Sequence, residues 1–296
     1  MIHSTAPTRG AAQYQSSSSV EGLMKPINLR KPVVAGQFYP SDAKDLNVMI
    51  SSFVDKTAQK SDCFGCILPH AGYIYSGRVA VCTISGVKIK DTVVLLGPNH
   101  TGQGATFSIM PQGIWQTPLG DIEINSKLAG LFLDKSRYLE ADSLAHLDEH
   151  SLEVELPILQ YFRNDFKIVP IAIKTDDLSK LNAVGQELAS VVIENDLRGS
   201  VMFIASSDMT HYEPQKKAEI KDALAIEAIL GLDEQKLKVV VEESDISMCG
   251  FAPIAILIKV AKLLGAKRGQ LIKYQTSGDV NSDRSSVVGY AGITIN

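Results

Sequence analysis

Cysteine is scarce in this chain: Cys63, Cys66, Cys82 and Cys249 are the only four among 296 residues. Four is no disulfide framework, and such sparing use suits a reducing compartment. Long apolar runs are missing too. One of the longest, residues 252–258 before Lys259, falls far short of the roughly 20 residues that a spanning helix needs. Basic blocks are absent: 29 Lys and Arg stand against 33 Asp and Glu, a formal net charge of −4. A general nucleic-acid binder needs the opposite footprint, so neither nucleic acid nor membrane is expected as a partner. Residues 1–31 hold no continuous apolar stretch of the secretory type, which makes the cytoplasm the expected location. Phosphate loops are missing as well: Gly102-Gln103-Gly104 is followed by Phe107 where a dinucleotide fingerprint needs glycine, and no Gly-Lys-Ser/Thr occurs.

What is present is a globular composition, 45 % hydrophobic and 21 % charged, long enough to bury a substantial core. Residues 1–31, with the serine run Ser16 to Ser19, read as a flexible polar tail; residues 32–296 read as one α/β domain. Asp42 is placed to cap a helix over 43–57. Apolar runs at 64–68, 92–96, 167–173, 200–205 and 286–295 show little alternation, as expected of strands covered on both faces. Helical patterns fall at 76–84, 126–134, 150–162, 178–195, 214–230, 233–242 and 251–264. Strands alternating with helices imply a three-layer domain, with a mostly parallel or mixed central sheet flanked by helices.

Histidines fall where such strands end. His70 follows one strand in Leu68-Pro69-His70-Ala71-Gly72, and His100 follows the next in Gly97-Pro98-Asn99-His100, 30 residues later. That interval is about one strand-helix-strand unit, so both imidazoles are expected at the carboxyl edge, where open α/β sheets bind ligands. A third strand end, Ser206-Ser207-Asp208-Met209-Thr210-His211, adds a carboxylate and an imidazole. These residues hold the letters of a hydrolytic triad, but they crowd onto one turn without a G-x-S-x-G elbow. Cys249 precedes the apolar helix at 251–264, where the helix dipole is expected to lower its pKa. Two imidazoles and a thiolate suit iron, copper or zinc rather than magnesium or calcium. Any one of these residues alone is accounted for by packing; their recurrence after successive strands favours a metal site.

Two motifs compete for attention. His146-Leu147-Asp148-Glu149-His150 matches H-x-x-E-H, the inverted zinc-peptidase pattern. The alternative places Glu149 and His150 at the start of the helix over 150–162, with His150 reaching the strand-end cluster. Cys63-Phe64-Gly65-Cys66 has C-x-x-C spacing, but Ile67-Leu68 continues it as a strand and no second pair completes a zinc site. It is assigned to packing.

Taken in order, Val34-Ala35-Gly36-Gln37-Phe38-Tyr39-Pro40, Pro69 to Tyr73, Gly97 to His100, Asp148 to Ser151, Ser206 to Asp208, Cys249-Gly250 and Ser285 to Val287 resemble the Memo family over about residues 32–296. That family is similar in fold to the class III, LigB-type non-haem iron dioxygenases, in which two His and a Glu hold Fe(II). The resemblance implies His70 and His100 at the two histidine positions, Cys249 as the third pocket residue, and Asp208 and His211 in the same pocket. A thiolate in place of the carboxylate departs from the dioxygenase pattern and favours copper or zinc. The expectation is a metal-dependent oxidoreductase holding iron (Fe2+) or copper, with zinc as the further candidate, on His70, His100 and Cys249. His211, assisted by Asp208, would act as general acid/base, and His150 would orient substrate or relay protons. The substrate would be an unknown small molecule or peptide. Prokaryotic members occur beside a radical-SAM enzyme and a small AMME-type protein, which implies a shared pathway. Two alternatives stand beside this reading: a catalytically silent module binding a peptide, ligand or partner in the same pocket, and the zinc peptidase.

Overall fold

The computed structural model describes Met1 and residues 29–296. The expected tail therefore falls largely outside the described residues, as does its serine run. In chain order the elements begin with β1 (Leu29–Arg30), α1 (Ala43–Phe53), β2 (Gly65–Leu68), α2 (Tyr73–Ser85) and β3 (Thr92–Pro98). There follow β4 (Phe107–Ile109), β5 (Ile114–Thr117), β6 (Gly120–Glu123), α3 (Ser126–Lys135), β7 (Glu140–Ala141), α4 (Leu144–Leu147) and α5 (Glu155–Phe162). The remainder is β8 (Lys167–Ile173), α6 (Leu178–Glu194), β9 (Val201–Ser206), β10 (His211–Glu213), α7 (Gln215–Leu230), α8 (Glu234–Glu243), α9 (Phe251–Leu264), β11 (Gly269–Thr276), α10 (Gly278–Asn281) and β12 (Val287–Ile295).

Local chemistry sets several helix starts. The Asp42 carboxylate accepts from the backbone N–H groups of Lys44 and Asp45, as its position implied, and Asp177 and Asp233 cap α6 and α8 in the same way. The apolar runs form strands β2, β3, β8 and β9, which lie parallel in the order β2-β9-β3-β8. Antiparallel β12 and β4 extend the two sides, making the sheet mixed. Val94, Leu96, Ile171 and Phe203 face one core layer under α3, α6, α8 and α9. Their chain neighbours Val93, Leu95, Met202 and Ile204 face the other, under α1, α2 and α5. The result is a three-layer α/β domain, and it explains why these strands showed so little alternation. The strands missed by periodicity are short or peripheral: β11, with sequence GQLIKYQT, is largely open to solvent on one side, and apolar and polar residues mix in it.

Two features of this frame place the site. Leu68 pairs with Ser206 and Leu96 with Ala205, so β2, β9 and β3 end at one level. The β2-α2-β3 unit exists as the histidine spacing implied, but β9 is inserted between its strands and brings Ser206 and Asp208 between the two histidine loops. The second feature is a correction. The helix expected over 150–162 begins only at Glu155; residues 148–150 are irregular and residues 151–154 form turns instead. Ser151 Oγ donates to the Pro98 carbonyl at 3.1 Å, and Gly97 lets the segment lie on the end of β3, because a Cβ there would meet Leu152 Cδ2 at 2.5 Å.

Arg30 fastens this segment from outside the boundary expected at residue 32. β1 pairs with β5, which leaves the Arg30 side chain 1 % exposed with its guanidinium 4.3 Å over Trp115. It ion-pairs with Glu153 and donates to the carbonyls of Glu149, at 2.6 Å, and His146, at 3.1 Å. Glu153 also accepts from the backbone N–H groups of Val33 and Val34 and from the Tyr39 hydroxyl. Removing one partner of such a pair strands a buried charge. Arg30→Met is expected to lower the unfolding free energy by about 3–5 kcal/mol in urea titrations, and Arg30→Met/Glu153→Gln to recover part of that loss.

Candidate metal centre

Four loops at the carboxyl edge meet in one place. His70 comes from the loop after β2, His100 from the loop after β3, Asp208 from the loop after β9, and His150 from the turns held by Arg30. The imidazoles of His70, His100 and His150 form a group whose ligand atoms all lie within 4.8 Å of one another. The His100 and His150 rings stack with centroids 4.9 Å apart, and His70 stands edge-on to both at 5.2 Å and 5.6 Å. They line a cavity of about 240 Å³ whose walls also include Phe38, Asp208, His211 and Tyr290. On its far side His100 borders a second cleft of about 420 Å³, together with Cys249, Lys238 and Phe251.

Hydrogen bonds behind the rings decide which nitrogen each presents. The Ser206 hydroxyl lies 2.7 Å from the Ser151 carbonyl, 2.8 Å from Glu155 Oε1 and 2.8 Å from His70 Nδ1. A carbonyl only accepts, so the single hydroxyl proton goes to Ser151, and the other two neighbours must donate. His70 is therefore the Nδ1–H tautomer with its Nε2 lone pair turned to the site, and Glu155 is protonated. Burial, which leaves Glu155 0 % exposed, raises its carboxyl well above the usual range, in agreement with that proton count. His100 Nδ1 lies 2.9 Å from Glu149 Oε1 and donates to it. Burial works to raise the Glu149 carboxyl, but the hydrogen bond from His100, with the backbone N–H groups of Ser151 and His100, outweighs it and holds the group at about 2. Burial, with the other imidazoles, lowers His70 well below its ordinary value, and burial lowers His150 too, so both rings are neutral at physiological pH.

Not every residue expected at the site plays the expected part. Cys249 Sγ lies 3.2 Å from His70 Nε2 and accepts from the Asp208 backbone N–H at 3.3 Å, but the compact group is the three imidazoles, with His150 as its third member. The thiol is not activated by α9: it precedes the N-cap Gly250, and burial and the Asp208 carboxyl push it up. Asp208 does not hydrogen-bond to His211. It accepts from the His70 backbone N–H at 2.9 Å, and burial raises its carboxyl to about 6. His211 is held instead by Ser247: its backbone N–H donates to Ser247 Oγ and its Nδ1–H to the Ser247 carbonyl, each at 2.8 Å, leaving Nε2 free. The peptidase reading fails on geometry. α4 ends at Leu147, so no helix carries both His146 and His150, and His146 is fully buried with Nε2 donating to the Ser108 carbonyl at 3.2 Å.

Sequence reasoning missed Ser206 as the anchor of His70, Glu155 behind it, and the Arg30–Glu153 clamp. One signal was available: Glu153 and Glu155 interrupt the apolar run Leu152 to Leu159, where a carboxylate needs a buried partner or a proton.

The domain is thus an α/β protein with a strand-end histidine cluster of the kind that holds transition metals. Residues 30–294 match the family described as Memo-like protein. MEMO1 family proteins of three organisms align over most of the chain. That of Methanopyrus kandleri is 44 % identical over 278 residues, 89 % of this chain and 98 % of its own length. That of Methanococcoides burtonii is 43 % identical over 269 residues, 90 % of this chain and 100 % of its own. That of Nitrosopumilus maritimus is 39 % identical over 275 residues, 90 % of this chain and 98 % of its own. The chain belongs to the Memo family. Among the described residues no helix is long and apolar enough to cross a membrane.

The burial of His146 has a measurable consequence. Burial lowers its imidazole from 6.5 to about 4. The unfolded chain therefore takes up a proton below pH 6.5 that the folded chain refuses until about pH 4, so this contribution to stability is complete above 6.5 and disappears between the two values. It amounts to about 3 kcal/mol. His146→Gln, which keeps a donor for Ser108, is expected to flatten that part of the pH dependence of the unfolding free energy by urea denaturation.

Proposed function

We propose that this protein is a metal-dependent oxidoreductase that holds iron or copper on His70 and His100, with the Cys249 thiol as the soft donor and His150 as the third imidazole of the group. The observation that supports it is the anchoring of the two principal rings from behind. His70 Nδ1 is tied to Ser206 and His100 Nδ1 to the Glu149 carboxylate, leaving the opposite nitrogens as lone-pair donors, which is how proteins orient metal-bound histidine. Neutral imidazoles are the binding-competent form, and a bound cation deprotonates a coordinating thiol that is otherwise high. Such an ion supplies one-electron exchange and polarises a bound substrate.

The chain's own residues do the rest. His211, with Nε2 free, serves as general acid/base at the rim of the 240 Å³ cavity, and His150 and Phe38, whose rings lie 4.9 Å apart, shape its wall. A cavity of that size takes a small organic molecule or one peptide side chain. The resemblance to the LigB-type dioxygenases supports oxidative chemistry but names no substrate, and the Memo-family resemblance supports a functional link to a radical-SAM enzyme and a small AMME-type protein.

Protein purified without chelator and loaded anaerobically should hold about one equivalent of iron or copper by elemental analysis. His70→Ala/His100→Ala should abolish binding, Glu149→Gln should weaken it ten- to hundredfold, and His146→Gln should leave it unchanged. Full occupancy in the double histidine variant would overturn the assignment. A chain that takes up no metal yet retains a small ligand in the cavity would make it a binding module instead.

A further inference from the structure

Cys63 and Cys66 lie at the start of β2, the opposite end of that strand from His70, and take no part in the metal centre. Their sulfurs are 3.8 Å apart, and both thiols are free. The two differ in ways that matter for reactivity. Cys66 is 0 % exposed within a strand paired on both sides, to β9 and β12. Cys63 is 8 % exposed, precedes the strand, and its backbone makes no hydrogen bond among the described residues. Phe64 and Gly65 alone separate them, so small rotations at Cys63 close the remaining distance to the about 2.05 Å of a disulfide. The two sulfurs share a hydrogen bond; with Cys66 as its donor, the bond stabilises negative charge on Cys63 and, aided by the Lys90 charge, lowers the Cys63 thiol, while the same bond and burial raise Cys66. An attacking thiolate beside a resolving thiol is the arrangement of redox-responsive pairs.

We propose that Cys63 and Cys66 form a peroxide-responsive dithiol, with Cys63 the attacking and Cys66 the resolving residue. The Cys63 thiolate attacks one oxygen of a hydroperoxide. The O–O bond breaks, the leaving oxygen takes a proton and departs as water (or an alcohol), and Cys63 becomes a sulfenic acid. The Cys66 sulfur then attacks Cys63 Sγ, its proton leaves with the hydroxyl as water, and a disulfide forms. Two thiols lose two electrons and two protons, and one hydroperoxide is reduced. This site stands or falls independently of metal binding at His70 and His100.

The test uses the full-length protein, reduced, stripped of metal with chelator and exposed to hydrogen peroxide. Peptide mapping is expected to show Cys63 and Cys66 joined, with the segment lighter by two hydrogens, and dithiothreitol to restore both thiols. Cys66→Ser should accumulate a sulfenic acid at Cys63 that dimedone captures, and Cys63→Ser should slow peroxide consumption by the segment at least about tenfold, since a buried, unactivated thiol reacts poorly. Circular dichroism identifies any variant that fails to fold; for such a variant, alkylation rates of the two thiols in the wild-type chain decide, with Cys63 expected to react first. A wild-type pair that stays reduced while Cys82 or Cys249 is oxidised, or dimedone capture at Cys66 rather than Cys63, would overturn the proposal.

Discussion

The buried ion pair between Arg30 and Glu153 is the constraint on which the site depends. The two residues are 123 positions apart, and neither has access to water. A charge in that setting is tolerable only when polar neighbours compensate it, and here Glu153 collects two backbone N–H groups and a tyrosine hydroxyl, while Arg30 spreads over two carbonyls and an indole face. Those two carbonyls belong to His146 and Glu149, so the network holds in turns a segment that its sequence pattern would otherwise wind into helix. Glu149 then faces His100, and His150 enters the cavity.

The parallel strands supply the remaining geometry. Because β2, β9 and β3 end level, short loops suffice to deliver His70, Asp208 and His100 to one edge, and the close approach of the 151–152 turn at Gly97 joins them to His150. The electrostatics follow from burial. Burial drives His70, Glu155 and the Cys249 thiol toward their neutral forms, and Glu149, tied to His100 and two backbone amides, is the carboxylate held ionised behind the cluster. A group of imidazoles oriented from behind by fixed hydrogen bonds could hold a cation.

Much of this fold was legible in the chain. The apolar runs announced β2, β3, β8, β9 and β12 to within about two residues, Asp42 announced the start of α1, and proline and glycine beside His70 and His100 marked them as strand-end loops. Where reading failed, two influences competed and the non-local one prevailed. Residues 150–154 carry a helical pattern, yet Ser151 bonds to Pro98 and Glu153 to Arg30. Cys249 sits where a helix dipole lowers a thiol, yet it lies one position ahead of the N-cap and is buried beside Asp208, and burial outweighs a dipole that acts within the first turn.

The sequence by itself determined the three-layer α/β class, the family, and the placing of His70, His100, Asp208 and Cys249 at one sheet edge, because hydrophobic period, turn chemistry and the succession of motifs are written in local patterns. Only the tertiary structure decided that His150 joins His70 and His100 in one compact group, that Ser206 and Glu149 fix the ring tautomers, and that Arg30 belongs to the core. Those outcomes rest on contacts between residues 49 to 136 positions apart, and on a dielectric environment that exists only once the layers have closed over them.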